Sequence, residues 1–129
     1  MIEDKIYNSW LAGFWEGEGC LVRFKGHTGY RVTIVQGITN GRNVILCMNK
    51  IQEKFGGRLY RRNMKGKKDQ MRWELHQRED LIWFLKKIYP YCQFRKKQIR
   101  DAFEYYETHP RKRSIYINTI CHSLINEHY

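Results

Sequence analysis

Two glutamates, Glu16 and Glu18, are interleaved with glycines in the run Trp15-Glu16-Gly17-Glu18-Gly19. The residues before them have helical spacing, so both carboxylates fall near a helix C-terminus. Anions are disfavoured there by about 0.3–1 kcal/mol each. A bound cation would offset that cost, and hard carboxylate oxygens suit Mg²⁺, which takes one or two of them beside phosphate and water. The alternative is that the carboxylates only cap and solvate the turn, and for Glu16 both readings stand. A second group, Arg95, Lys96 and Lys97, opens another helical stretch, where cations are equally misplaced; this favours phosphate as their partner over plain solvation. A third is the segment from Arg58 to Arg72, with seven basic residues and one acid, Asp69. Its loop lysines, Lys65, Lys67 and Lys68, suit a phosphate backbone. Its strand arginines suit guanine edges, since a two-stranded ribbon fits the major groove.

The whole chain has the same bias. Across 129 residues, 24 Lys and Arg face 13 Asp and Glu, a formal net charge of +11, which draws in polyanions. The basic residues are spread over several segments rather than one amphipathic helix, so nucleic acid fits better than a membrane surface. No apolar run approaches the roughly 20 residues that span a bilayer. The N-terminal segment lacks the apolar stretch of a signal peptide, and the expected location is intracellular. Cys20, Cys47, Cys92 and Cys121 form no metal-binding spacing and are expected as free thiols. The length corresponds to one domain spanning residues 1–129.

The elements that must position these groups follow from periodicity. Residues 4–16 are expected as a helix, with Ile6, Tyr7, Trp10, Leu11 and Phe14 as its core stripe. Ser9, Ala12 and Gly13 form a second stripe of small residues, open to close approach by another helix. A hairpin follows, with Val22, Phe24, Val32 and Ile34 inward and Arg23, Lys25, Arg31 and Thr33 outward. Residues 42–55 form a second helix stopped by Gly56-Gly57. In a second hairpin Met71, Trp73 and Leu75 alternate with Arg72, Glu74 and His76. Residues 80–89 and 95–107 are two further helices, and the tail from Ser114 again has helical spacing. The order α-β-β-α-β-β-α predicts an α+β fold: a four-stranded antiparallel sheet with helices on one face. The other face would carry Arg23, Lys25, Arg31, Arg58, Tyr60, Arg62, Arg72, Glu74 and His76. Six Arg or Lys against one Glu is too one-sided for an ordinary solvated face, and nucleic-acid contact is expected.

The stretch Leu11-Ala12-Gly13-Phe14-Trp15-Glu16-Gly17-Glu18-Gly19 resembles the LAGLIDADG motif of homing endonucleases, with Glu at both acidic positions. With the order of elements, the resemblance covers about the first 107 residues. It implies a saddle-shaped sheet and a sequence-specific double-stranded DNA endonuclease. The motif occurs once, which in that family implies a homodimer acting on a long pseudo-palindromic site and leaving 3′ overhangs. It further implies that Glu18 ligates Mg²⁺ or Mn²⁺, with Gly17 presenting its carbonyl. Ser9, Ala12, Gly13 and Glu16 would fall at the dimer interface. Where relatives place a polar residue that orients the attacking water, this chain has Asn40 or Thr39, with Gln36 less suited because it sits within the strand. Where relatives have a lysine that stabilises transition-state charge, it has Arg95, with Lys96 and Lys97 following. The rival readings are an intron-RNA-binding maturase, a DNA-binding regulator without chemistry and a basic ribosome-associated module. The paired carboxylates speak against the last two.

Overall fold

The computed structural model describes residues 2–110 except 25–28, 39–40, 64 and 67. Helix α1 (Ile2–Glu18) leads into strands β1 (Gly19–Arg23) and β2 (Tyr30–Gly37). Helix α2 (Arg42–Phe55) is followed by β3 (Arg58–Arg62) and β4 (Gln70–Leu75), then α3 (Arg78–Ile88), a 3₁₀ turn (Tyr89–Tyr91) and α4 (Lys96–Thr108). The strands form one antiparallel sheet in the order β1-β2-β4-β3, so the two hairpins join through β2 and β4. The expected α+β architecture is the observed one, and the helical tail expected from Ser114 lies outside the described residues.

One face of the sheet is the floor of the core. Leu21, Val32, Ile34, Met71, Trp73 and Leu75 are buried there beneath Leu11, Trp15, Met48, Ile51, Phe84 and Phe103 from the helices. Trp73 reaches across the sheet edge, its indole N–H donating to Gly56 O at 2.8 Å. Gly57 sits against this contact with φ of 90°, and a Cβ there would lie 2.6 Å from Glu74 O; only glycine satisfies both constraints. The inward sets expected for β2, β4, α3 and α4 are all buried: Val32 and Ile34; Met71, Trp73 and Leu75; Leu81, Phe84, Leu85 and Ile88; Ile99, Ala102, Phe103 and Tyr106.

Two expectations are corrected. In β1, Leu21 pairs with Val32 on the core face, leaving Val22 47% exposed on the other. Arg23 therefore shares the parity of Tyr30, and its guanidinium lies 4.3 Å from the Tyr105 ring of α4. Cys20-Leu21-Val22 is a continuous apolar run, so alternation alone could not fix which parity turns inward. In α1 the buried residues are Leu11, Ala12, Trp15 and Glu16, whereas Ile6 is 65% and Trp10 44% exposed. This helix carries two apolar faces. The chain's own core takes the one containing Ala12, and the other, with Ile6, Trp10 and Gly13, is left at the surface.

Candidate active site and nucleic-acid interface

The two glutamates of the motif have separate fates. Glu16 is 6% exposed and turns toward the segment before α4. Its carboxylate accepts the backbone N–H groups of Gln93 (2.9 Å), Phe94 (2.8 Å) and Arg95 (2.9 Å). In return Arg95, the residue preceding α4, lays its guanidinium over the Trp15 ring at 4.0 Å. Its Nη1 donates to the carbonyls of Gly19 (2.7 Å), Trp15 (3.2 Å) and Glu16 (3.4 Å). Each charge is thus wrong for its own helix and right for the other: the carboxylate sits on α4's donor end and the guanidinium on α1's acceptor end. Burial pushes the Glu16 carboxyl upward, but the three N–H donors and the Arg95 charge outweigh it, and its pKa is lowered. The cation offsetting Glu16's position is therefore Arg95, and Arg95's counterpart is a helix end rather than phosphate.

Gln98, one turn into α4, completes the junction. Its Oε1 accepts from Arg95 Nε (3.0 Å) and Nη2 (2.9 Å), and its Nε2 donates to Leu21 O at 3.0 Å. Sequence reasoning did not single out Gln98. Its spacing of three from Arg95 was the available signal, since residues so spaced share a helix face. Gly19 is fixed by the same packing, because a Cβ there would collide with the Trp15 indole.

Glu18, by contrast, is the exposed last residue of α1. Among the described residues no cation pairs with it. Gly17 beside it is exposed, and no other part of the protein crowds the position of a Cβ there. A divalent cation fits this corner: one free carboxylate oxygen donor beside an unobstructed backbone, with Glu16 otherwise engaged. The described residues contain no cluster of three or more His, Cys, Asp or Glu able to hold a metal. A cation here would draw a single carboxylate from this chain, within the ordinary range for Mg²⁺.

The strand that leaves this corner enters the sheet face opposite the core. By register that face carries Cys20 and Val22 from β1, Arg31, Thr33 and Val35 from β2, Arg72 and Glu74 from β4, and Arg58, Tyr60 and Arg62 from β3. Glu74 organises the second hairpin, with Arg72 Nε at 3.1 Å and Arg58 Nη1 at 3.8 Å, and Arg58 stacks over Tyr60 at 4.4 Å. The Arg58 pair is at the surface and adds little stability, the Arg72 pair is part-buried, and together they hold two guanidinium groups in a defined arrangement. Arg31 lies over Phe24 at 5.4 Å. Thr33, although on this outer face, is only 6% exposed between its strand neighbours. His76, Lys65 and Lys68 are exposed. Arg23 does not join this face, for the register reason given above.

Lys25, Lys67, Thr39 and Asn40 lie outside the described residues. Lys97 is at the surface, its Nζ 3.1 Å from Asp101 one turn on, and Lys96 lies over the Tyr89 ring at 5.3 Å. Gln36 falls on the core-facing parity, opposite Met71. The small-residue stripe of α1 is divided: Ser9 and Gly13 are exposed, but Ala12 is fully buried in the chain's own core and the Glu16 carboxylate is engaged. Neither Ala12 nor Glu16 offers its side chain to a second copy. Cys20, Cys47 and Cys92 are free thiols.

No protein-family model and no curated protein sequence matches the chain. Solved structures do match. The homing endonuclease I-CvuI, in complex with the I-CreI target in the presence of Mg with the DNA not cleaved, superposes with a TM-score of 0.62 at 18% identity, covering 98% of each chain. The archaeal intron-encoded homing endonuclease I-Vdi141I, complexed with DNA, has a TM-score of 0.53 at 16% identity, over 95% of this chain and 96% of that one. The meganuclease I-SmaMI, bound to uncleavable DNA, has a TM-score of 0.57 at 13% identity, over 92% of this chain but 43% of its own.

Proposed function

The chain has the LAGLIDADG homing-endonuclease fold, and we propose that it is a sequence-specific double-stranded DNA endonuclease acting as a homodimer. The observation that carries this reading is Glu18: an exposed carboxylate on the last residue of α1, directly before β1 of the sheet whose outer face carries the arginines. The face would lie in the major groove, with Arg31, Arg58, Arg62 and Arg72 toward bases and phosphates. Tyr60, Glu74 and His76 share that surface, and Lys65 and Lys68 reach the backbone at its rim. The exposed α1 face with Ile6, Ser9, Trp10, Gly13 and Gly17 suits a two-fold partner, because glycines allow helix axes to approach. Two-fold symmetry implies a pseudo-palindromic site and two copies of Glu18 near two scissile phosphates.

Glu18 and the Gly17 carbonyl would hold Mg²⁺ or Mn²⁺, which in such a site supplies an activated water and stabilises the leaving oxygen. Trp15, Glu16, Arg95 and Gln98 fix the corner that presents Glu18, and Arg95 acts as a positioning residue. Asn40 remains the proposed water-orienting residue and Lys97 the proposed phosphate contact. One observation favours a second reading, a DNA-binding regulator without cleavage: all three guanidinium nitrogens of Arg95 donate within the protein. Incubating a randomised duplex library with Mg²⁺ or EDTA and sequencing the ends separates the two. Metal-dependent cuts at one near-palindromic site, with 3′ overhangs, are expected, and Glu18→Gln should bind that site without cutting it. Retained cutting by Glu18→Gln overturns the metal-ligand role. Tight binding with no cuts by the wild type leaves the regulator.

A further inference from the structure

Between α1, α2 and the end of β2 lies an open apolar cavity of about 210 Å³, lined by Phe14, Gln36, Asn43, Val44, Cys47 and Met48. A benzene-sized ring is accommodated by an engineered apolar cavity of about 150 Å³, so this one has room for an aromatic side chain. Elsewhere on the same protein, Phe94 is 73% exposed. It is not on a loose loop: its own N–H donates to Glu16 at 2.8 Å and the N–H groups on either side do likewise. A large apolar side chain is thus held out into water by a rigid mount.

Plug and cavity are both tied to α1. Phe94 is pinned through Glu16 at the helix C-terminus, and Phe14 lines the cavity one turn before Glu18. The exposed face with Trp10, Gly13 and Gly17 belongs to the same helix. A chain's own Phe94 does not fill its own cavity, since the side chain is exposed. Two-fold interfaces are self-complementary, so a plug on one copy requires a socket on the same surface of the other. We propose that this cavity is the socket for the Phe94 ring of a second copy, two copies locking by reciprocal insertion. The inference rests on the homodimer reading above. Gln36 Oε1, buried without a partner among the described residues, then faces the positive edge of the inserted ring.

The test is a size swap read by sedimentation equilibrium with the full chain. Phe94→Ala removes both plugs and raises the dimer dissociation constant by about 100-fold or more. Cys47→Phe fills the socket and weakens the dimer in the same direction; if circular dichroism shows it misfolded, Val44→Phe takes its place. A mixture of the two single variants is expected to recover dimer as the heterodimer, because the Cys47→Phe copy supplies its plug to the open socket of the Phe94→Ala copy. The inference is overturned, with the homodimer intact, if Phe94→Ala dimerises like the wild type or the mixture shows no preference for heterodimer. A weakened dimer from Trp10→Ala but not from Phe94→Ala would assign the socket to Trp10 and overturn it equally. A wild type that stays monomeric at every concentration, with and without duplex DNA, removes both the socket and the homodimer reading.

Discussion

Two helices of this protein end against a buried or half-buried arginine drawn from the start of another helix. At the end of α4, Arg78 of α3 donates to the carbonyls of Tyr106 (2.5 Å) and His109 (2.8 Å) and lies over the Tyr106 ring at 4.8 Å. At the end of α1, Arg95 does the same for Trp15, Glu16 and Gly19 over the Trp15 ring. The electrostatic device is shared: a cation, poorly placed at its own helix start, satisfies the orphan carbonyls of a different helix. The settings differ. Arg78 is 5% exposed. The Arg95 junction is reciprocated by Glu16 and leaves Gly17 and Glu18 exposed one step beyond the cap. A sealed seat can only stabilise. The open one also fixes the position of an exposed carboxylate, as the proposed site for a metal and a phosphate requires.

Removing each arginine is the strongest way to test that contrast. Arg78→Met leaves the buried Tyr106 carbonyl without its donor, and the His109 carbonyl beyond the helix end as well, and should destabilise the fold by about 3 kcal/mol in urea unfolding, with cleavage at the wild-type rate once the variant is folded. Equal losses of cleavage in Arg78→Met and Arg95→Met would erase the distinction. Arg95→Met should cost less stability, about 2 kcal/mol, because water reaches that junction. Its cleavage rate should nevertheless fall by about 100-fold, since a shift of the corner misplaces Glu18.

The smallest effect is expected from Glu16→Gln, about 1–2 kcal/mol. Its signature is the pH dependence. The Glu16 pKa is lowered in the folded protein, so its contribution is complete above the ordinary carboxylate range and is lost as pH falls through the lowered value. Below about pH 4.5 the wild type should lose stability faster than Glu16→Gln, narrowing the gap between their unfolding curves. A gap that stays constant down to pH 2 would mean that the carboxylate is not held charged by the α4 N-terminus.

Much of this protein was legible in the sequence. Alternation in β2 and β4 and the three-and-four spacing in α3 and α4 named their buried residues. Motif and element order together led to the fold, because these patterns are local and repeat every two or 3.6 residues. What needed the tertiary structure was every choice between two locally equivalent options. Helix α1 has two apolar faces, and β1 opens with three apolar residues in a row; which side turns inward depends on the Leu21–Val32 register and on the fit of Trp15 against Gly19. Glu16 and Glu18 are alike in type and each is followed by a glycine. They part company because helix geometry points one toward partners 77 to 79 residues away and the other toward solvent. Sequence determines which charges a helix end carries; only packing decides which other helix end comes close enough to neutralise them.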